Sequence, residues 1–137
     1  HTVYGCQMLD AMGEYSDEPL VQCASDICRW HHERYDGNGY PDGLVGDQIP
    51  IAAQVISLTS VFDALTSERP YRRAYPVATA IKMIVDGKCG AFNPLLIESL
   101  LELEPMLIAA ADGGNVGAST SNFAEDLEMF CGLELMS

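Results

Sequence analysis

Two adjacent histidines open the stretch HHERYDGNGYPDG at residues 31–43, and a third histidine, His1, is the first residue of the chain. Histidine is the side chain that most often binds metal ions in proteins, and it also titrates near neutral pH. Neighbouring side chains at a helix end diverge by about 100°, so His31 and His32 could serve two metals, or one metal and a substrate. A pair of surface histidines without any function also fits these residues, and both interpretations stay open at this point.

The charge of the chain favours metal cations over nucleic acids as partners. It carries 20 acidic and 7 basic residues, a formal net charge of −13, whereas phosphate backbones require a basic surface. We therefore expect no binding of DNA or RNA. Three basic residues, Arg69, Arg72 and Arg73, lie within five positions of one another, so a local anion site is still compatible with the acidic field.

Length and composition indicate one globular domain. At 137 residues with 48% apolar side chains, the chain can bury a single core. No apolar run approaches the roughly 18 residues that a membrane helix needs, and no signal peptide is visible, so membrane insertion is not expected. Five cysteines without a CxxC spacing favour free thiols in a reducing cytoplasm over disulfides or a zinc site. The predicted location is therefore cytoplasmic.

Helical periodicity and turn residues divide most of the chain into helices around one long loop. The spacing of apolar residues predicts helices over residues 2–13, 19–34, 51–67, 76–86 and 94–103. The loop between them, residues 35–50, contains four glycines, two prolines and three aspartates, and it is longer than packing requires. No alternation typical of a strand is convincing, so the predicted fold is all-α.

The second predicted helix connects the histidines to this loop. Leu20, Ala24, Ile27 and His31 follow spacings of four, three and four residues, which predicts that His31 lies on the apolar stripe of the helix. We therefore expect the first histidine of the pair to be directed inward.

The C-terminal part has a different composition. Residues 112–121, DGGNVGASTS, are typical of a linker of small residues. The following stretch, NFAEDLEMFCGLELM, predicts a short amphipathic helix with Phe123, Leu127 and Phe130 on one side. We therefore predict a domain over residues 1–104 and a tail over residues 105–137.

Several blocks of the sequence together resemble the HD-GYP family. These blocks are HHERYDGNGYPDG followed by IP, then VFDALTSERPYRRAYP, and then GAFNP. The family is an all-α bacterial branch of the HD phosphohydrolases that cleaves cyclic di-GMP, and it is named in part after the triplet that Gly39, Tyr40 and Pro41 match. The segment HTVYG at residues 1–5 is similar to the His-x-x-x-Gly element of the family. The resemblance covers roughly residues 1–104.

The resemblance assigns all three histidines to metal-ligand positions. It implies that His1, His31 and His32 bind iron or manganese in a centre of two or three metals. Hydrolysis of a phosphodiester requires an activated water and neutralised phosphoryl oxygens, and bound metals supply both. Mixed imidazole and carboxylate ligands suit iron or manganese at least as well as zinc.

The resemblance also implies a substrate site. Arg69 and Arg72 match positions that hold the phosphates and bases of cyclic di-GMP, and a guanidinium group fits phosphate geometry in a bidentate manner. Tyr40 and Pro41 match a loop that shapes the substrate pocket or docks partner domains. On the residues alone, the arginines could equally form a solvated connector, and the loop could merely cap the helix pair.

The chain departs from the family pattern at several positions. The His-Asp dyad of the family belongs on an earlier helix, so we predict an HD-type helical bundle that lacks the early helices carrying the dyad. Ser60 stands where the family has a ligand aspartate, which makes it a degenerate ligand position. Asp63, one turn further on, is predicted to support the histidines without binding metal itself. Asn93 replaces another aspartate, with a minor effect on a helix cap.

These features lead to two expectations about function. The first is a metal-dependent phosphohydrolase domain that resembles the cyclic di-GMP phosphodiesterases of bacterial second-messenger signalling. The alternative is a catalytically inactive HD-GYP module that binds cyclic di-GMP or a protein partner. The resemblance further implies an upstream regulatory domain of the receiver, sensor or GGDEF type and a homodimer. We expect the 137 residues alone to be inactive.

Overall fold

The computed structural model describes residues 2–113, which form an all-helical structure. The described range contains five α-helices: α1 (Thr2–Asp10), α2 (Pro19–Trp30), α3 (Ile51–Thr66), α4 (Val77–Val85) and α5 (Pro94–Asp112). Within this range there is no strand, only two isolated β-bridges. The predicted all-α fold is therefore confirmed. None of these helices is both long enough and apolar enough to span a membrane.

The chain divides into two compact units, with a boundary inside α3. The described part of the first unit comprises residues 2–57 and 91–93, and that of the second comprises residues 58–90 and 94–113. The adjacent histidines and the Gly-Tyr-Pro loop therefore belong to the first unit. The predicted substrate-binding arginines belong to the second unit.

In the first unit, α1 packs against α2 through small and polar residues. A side chain at Gly5 would touch the Cβ and Sγ atoms of Cys28 at 3.4 Å, so the glycine allows a close approach of the two helices. On the same interface, the Cys6 thiol and the Ser25 hydroxyl lie 3.0 Å apart, and Ser25 donates to the Asp10 carboxylate at 3.1 Å. Hydrogen bonds therefore supplement apolar contacts between these helices.

The cysteines of the described range are free thiols. Cys6 and Cys89 are buried, and Cys23 and Cys28 are half-buried. Burial, together with the nearby Cys6, raises the pKa of the Cys28 thiol. Because the thiolate is the reactive form, a raised pKa makes this cysteine less nucleophilic.

Helix α2 ends at Trp30, four residues before the end that the periodicity predicts. Beyond Trp30 the backbone N–H of Glu33 donates to the Trp30 carbonyl at 3.0 Å, which is a turn and not the helical bond to Arg29. The His32 carbonyl accepts the backbone N–H of Tyr40 at 3.2 Å, so a loop contact follows directly after the helix. His31 is buried as the apolar stripe predicts, but Leu20 at the start of that stripe is 80% exposed, which contradicts the stripe at its first turn.

The second unit has an apolar core built from the end of α3 together with α4 and α5. The core side chains of α3 follow helical spacing, since Leu58, Val61 and Leu65 are three and four residues apart and all are buried. From α4, Ile81 and Ile84 are almost completely buried. Helix α4 packs against α5. The core therefore comes from the amphipathic faces of consecutive helices.

Helix α5 continues through Pro105 to Asp112, nine residues past the predicted end at residue 103. Proline lacks a backbone N–H and its ring crowds the carbonyl four residues earlier, which disfavours a helix that runs across it. The structure tolerates the proline inside the helix. The predicted boundary at residue 104 stays a prediction. His1 and the predicted amphipathic segment at residues 122–136 lie outside the described residues.

We expect the substitution Pro105→Ala to stabilise the chain. Alanine restores the N–H group and removes the ring, so the free energy of unfolding should rise by about 1–3 kcal/mol in urea denaturation. Pro94→Ala is the control, because Pro94 is the first residue of α5, where proline suits a helix. Equal stability of Pro105→Ala and the wild type would contradict the expectation.

Candidate functional site

The two adjacent histidines lie side by side, immediately after α2. His31 is 9% exposed and His32 only 2%, so neither is an ordinary surface residue. Their ring centroids are 4.1 Å apart, with the ring planes tilted by 43°. The rings therefore do not diverge as neighbouring side chains on a helix do. Both imidazoles belong to one buried cluster.

A backbone hydrogen bond orients the ring of His31. Its Nδ1 lies 2.7 Å from the carbonyl oxygen of Ile27, one turn earlier. Since a carbonyl can only accept, this hydrogen bond requires the proton on Nδ1, and in the neutral ring Nε2 then carries the lone pair. Histidine ligands in metal centres are typically held in this way by a carbonyl or a carboxylate. The environment of His31 thus suits a ligand.

Tyr40 covers the second histidine. The rings of Tyr40 and His32 stack with centroids 5.0 Å apart and planes inclined by 21°, while the tyrosine remains 43% exposed. The peptide bond between Tyr40 and Pro41 is cis. The tyrosine therefore lies between His32 and solvent. This placement agrees with a loop that shapes a pocket, which stays a prediction for Tyr40 and Pro41.

Gly39 is the point at which the loop touches the backbone after α2. A Cβ atom at this position would lie 2.5 Å from both the Glu33 Cα and the His32 carbonyl oxygen. Such distances are well inside van der Waals contact, and the atoms involved belong to the backbone, which cannot move aside as a flexible side chain can. The first residue of the Gly-Tyr-Pro triplet must therefore be glycine for a steric reason.

Glu33 holds the rest of the loop, and sequence reasoning missed this role. The carboxylate is 3% exposed and accepts three backbone N–H groups, from Asp42 at 2.6 Å, Gly43 at 3.1 Å and Leu44 at 2.9 Å. A signal was present in the sequence. The amides of a loop without regular structure need partners, and an acidic residue between the histidines and the glycines can supply them.

A second clamp joins the loop to the last turn of α2. The Asp42 carboxylate accepts two hydrogen bonds from the Arg29 guanidinium, at 2.9 and 3.1 Å, and one from the Trp30 indole at 2.7 Å. The hydrogen bonds from Arg29 and then Trp30 lower the pKa of Asp42. The carboxylate is therefore kept ionised at neutral pH.

Further hydrogen bonds within the loop hold its remaining turns and bring its two ends together. The Asp36 carboxylate accepts the N–H of Asn38 at 3.0 Å. The backbone carbonyl of Tyr35 accepts the N–H of Gly46, also at 3.0 Å. The Gln48 side chain accepts the N–H of Val45 at 3.0 Å. With Glu33, these bonds satisfy much of a backbone that has neither helix nor strand. The loop is a specified structure, although it lacks sequence periodicity.

Arg69 and Arg72 face each other across an isolated β-bridge in the second unit. The Arg72 guanidinium donates to the carbonyl oxygens of Ala64 at 2.8 Å, Leu65 at 3.4 Å and Arg73 at 3.1 Å. It therefore satisfies carbonyls at the C-terminal end of α3, where a cation is also favoured by the helix dipole. The Nε atom of Arg69 is buried without a hydrogen-bond partner. Phosphate binding by either arginine stays a prediction.

The structure also describes three other predicted positions, two of which form hydrogen bonds within their own units. Ser60 is half-buried on α3. Asp63 is exposed and accepts a hydrogen bond from the Ser67 hydroxyl at 3.3 Å. The buried Asn93 side chain donates to Gln54 at 3.0 Å. Asn93 thus takes part in a buried polar contact in the first unit, in addition to any effect on a helix end. The metal-related roles of Ser60 and Asp63 stay predictions.

The described residues supply only part of a metal site. Two buried imidazoles, one with its Nδ1 proton held by a carbonyl, fit as ligands. Between residues 2 and 113, however, no group of three or more histidine, cysteine, aspartate or glutamate side chains could hold a metal ion. A complete centre would need further ligands from outside these residues, and His1 is one candidate.

Comparison with known proteins agrees with this description. A family model for the HD domain matches residues 1–94. The chain is 42% identical over 86 residues to the cyclic di-GMP phosphodiesterase response regulator RpfG of Xanthomonas campestris pv. campestris, which covers 63% of the chain and 23% of that protein. It is 36% identical over 104 residues to a cyclic di-GMP phosphodiesterase of Thermotoga maritima, covering 76% of the chain and 27% of that protein.

A third relative differs in its named substrate. The 3'3'-cGAMP-specific phosphodiesterase 2 of Vibrio cholerae is 37% identical over 102 residues, covering 74% of the chain and 19% of that protein. The chain thus spans about a quarter or less of the length of these relatives.

The family model matches well over half of the chain, so this chain belongs to the HD domain family. Its relatives and its Gly-Tyr-Pro loop are those of the HD-GYP branch, which confirms the resemblance seen in the sequence. HD phosphohydrolases are metal-dependent as a family.

We expect Glu33→Gln to destabilise the first unit. The glutamine side chain keeps one acceptor oxygen, but its NH2 group replaces the other oxygen and then faces a backbone N–H without accepting from it. The free energy of unfolding should therefore fall by about 1–3 kcal/mol. Urea denaturation measures this change. Glu14→Gln, at an exposed position of the same unit, serves as the control. Equal stability of the two variants would show that the three amides do not depend on the carboxylate.

The clamp on Asp42 should be lost in acid. Because the folded pKa is depressed, its stabilisation is present above the ordinary value of about 4 and disappears as pH falls through the folded pKa. Trp30 is the single tryptophan and donates to Asp42, so its fluorescence should change with a midpoint below pH ~4. In Asp42→Asn this step should be missing. An unchanged step in that variant would assign it to other groups.

Proposed function

We propose that the protein is a metal-dependent phosphodiesterase that hydrolyses cyclic dinucleotides, with cyclic di-GMP as the expected substrate. The observation that carries the proposal is the pair of buried imidazoles beside a Gly-Tyr-Pro loop held by the Glu33 carboxylate. Relatives of known name support the reaction class, because two are called cyclic di-GMP phosphodiesterases and one is called 3'3'-cGAMP-specific.

In this proposal His31 and His32 bind the metal with ligands from outside the described residues, His1 among them. The metal would be iron or manganese, and it would lower the pKa of a bound water and neutralise charge on the phosphate. The protein's own part is to fix the rings. The Ile27 carbonyl holds the Nδ1 proton of His31, and the stacked Tyr40 ring limits the access of water to His32.

The substrate side of the proposal rests on the loop and the two arginines. Tyr40 stacks on His32, and in the proposal Tyr40 and Pro41 contact the ligand. Arg69 has a buried Nε without a partner, which could donate to a phosphate oxygen. Arg72 donates three hydrogen bonds within the fold. In the proposal it therefore contributes positive charge to the site, and only part of its guanidinium group is available to the ligand. Asp63 would support the site, and Ser60 would weaken it.

Regulation would come from a further domain of the receiver, sensor or GGDEF type. The name of one relative, a response regulator, supports a receiver domain. We infer a cytoplasmic location, in keeping with the free thiols of the described range, and a homodimer as the assembly.

The test is hydrolysis of cyclic di-GMP and of 3'3'-cGAMP by the longest natural form of the protein, prepared without air and supplied with Fe²⁺ or Mn²⁺. We expect turnover with bound metal, and His31→Ala should lower both metal content and turnover by more than about 100-fold, because losing partners one step beyond a ligand already costs about 10–100-fold. Asp47→Asn, an exposed loop residue of the same unit, is the matched control and should behave as the wild type.

Two outcomes would contradict the proposal. Binding of cyclic di-GMP without hydrolysis at any metal supplied would identify an inactive binding module, as the serine at position 60 would suggest. Hydrolysis that persists unchanged in His31→Ala would remove the histidine pair from the reaction.

A further inference from the structure

An apolar groove lies in the second unit. It has a volume of about 530 Å³ and is formed by the last turns of α3, the start of α4 and the last turns of α5. Phe62, Tyr75, Val77 and Leu107 contribute to its apolar lining, and each of them is only half-buried. Half-buried aromatic and aliphatic side chains around one groove are typical of a surface that binds a partner.

The charged residues in the lining of the groove are two carboxylates. Asp63 lies on α3 and Asp112 is the last residue of α5, so negative charge comes from two different helices. Among the described residues, no lysine or arginine lines this groove, although the Arg72 guanidinium lies over the Tyr75 ring, 4.7 Å from its centroid. A ligand with positive charge beside its apolar surface would place opposite charges next to both carboxylates. A neutral or acidic ligand would leave the carboxylates without an oppositely charged partner.

We propose that this groove docks a basic amphipathic helix of a partner protein. Such a helix presents an apolar stripe to the groove and flanking lysines or arginines to Asp63 and Asp112, which is the usual arrangement of helix-in-groove recognition. The charge of the lining selects this occupant. An anionic lipid surface would be repelled by it.

The chain's own C-terminal residues fit the groove less well. Residues 114–137 carry four acidic and no basic residues, so they would place further carboxylates beside Asp63 and Asp112. At this groove a second copy of the chain, with net charge −13, would add further negative charge, so the homodimer proposed above does not involve this surface. The second copy is one of the outcomes of the experiment below.

The experiment measures binding of two synthetic helical peptides to the full chain by fluorescence anisotropy. Both peptides carry leucine at i, i+3, i+4 and i+7, and one has lysine at the flanking positions where the other has glutamate. Ala111→Trp fills the groove, and Ala109→Trp adds the same ring at an exposed site of α5 outside it. Asp112→Asn removes a groove carboxylate, and Glu102→Gln removes an exposed one elsewhere on α5.

We expect the wild type to bind the lysine peptide and not the glutamate peptide. Ala111→Trp should weaken binding of the lysine peptide at least about tenfold, because it displaces the apolar anchors, whereas Ala109→Trp should bind as the wild type does. Asp112→Asn should weaken binding about two- to fivefold, as expected for one exposed ion pair, and Glu102→Gln should have no effect. Circular dichroism of the two tryptophan variants checks that the fold is retained.

Three results would overturn the proposal. Equal binding by both tryptophan variants would reduce the interaction to general attraction between a basic peptide and an acidic protein. Equal affinity for the two peptides would remove charge as the selecting feature. Absence of peptide binding, together with self-association that Ala111→Trp abolishes in sedimentation, would assign the groove to a second copy. The readout is binding alone, so these results are independent of hydrolysis.

Discussion

The structure of the first unit depends on one buried carboxylate. Glu33 accepts three consecutive backbone N–H groups of the Gly-Tyr-Pro loop, and no helix or strand could satisfy these groups where they lie. The same residue directly follows the histidine pair in the sequence. One side chain therefore connects the shape of the loop to the position of the imidazoles, and in this loop conformation Tyr40 stacks on His32.

The glycine of the triplet serves the same constraint from the steric side. Gly39 lies against the backbone of residues 32–34 so closely that a methyl group would not fit. After α2 the chain enters the loop directly, since the N–H of Glu33 donates to the Trp30 carbonyl in a turn and the N–H of Tyr40 donates to the His32 carbonyl. The Gly-Tyr-Pro triplet thus allows backbone to pack directly against backbone. The role proposed for the histidines depends on this packing.

Residues with a proposed ligand role also have structural roles in this chain. Arg72 satisfies carbonyls at the end of α3 and lies over the Tyr75 ring, with its guanidinium carbon 4.7 Å from the ring centroid. A guanidinium has five N–H groups, so a structural role and a phosphate contact are chemically compatible. Arginine is suited to such double use because its charge persists at every pH that a protein experiences.

The sequence by itself determined the all-α class, the approximate positions of the helices and the family, because apolar spacing and contiguous motifs are local properties. His31 was correctly expected to be buried. Only the tertiary structure decided where α2 ends, that α5 passes through Pro105, and that Glu33 and Asp42 anchor the loop. The anchoring of the loop depends on which groups meet across the fold, because a buried carboxylate lies beside backbone N–H groups that have no helical or strand partner. The spacing of residues along the chain does not show which distant groups will come into contact.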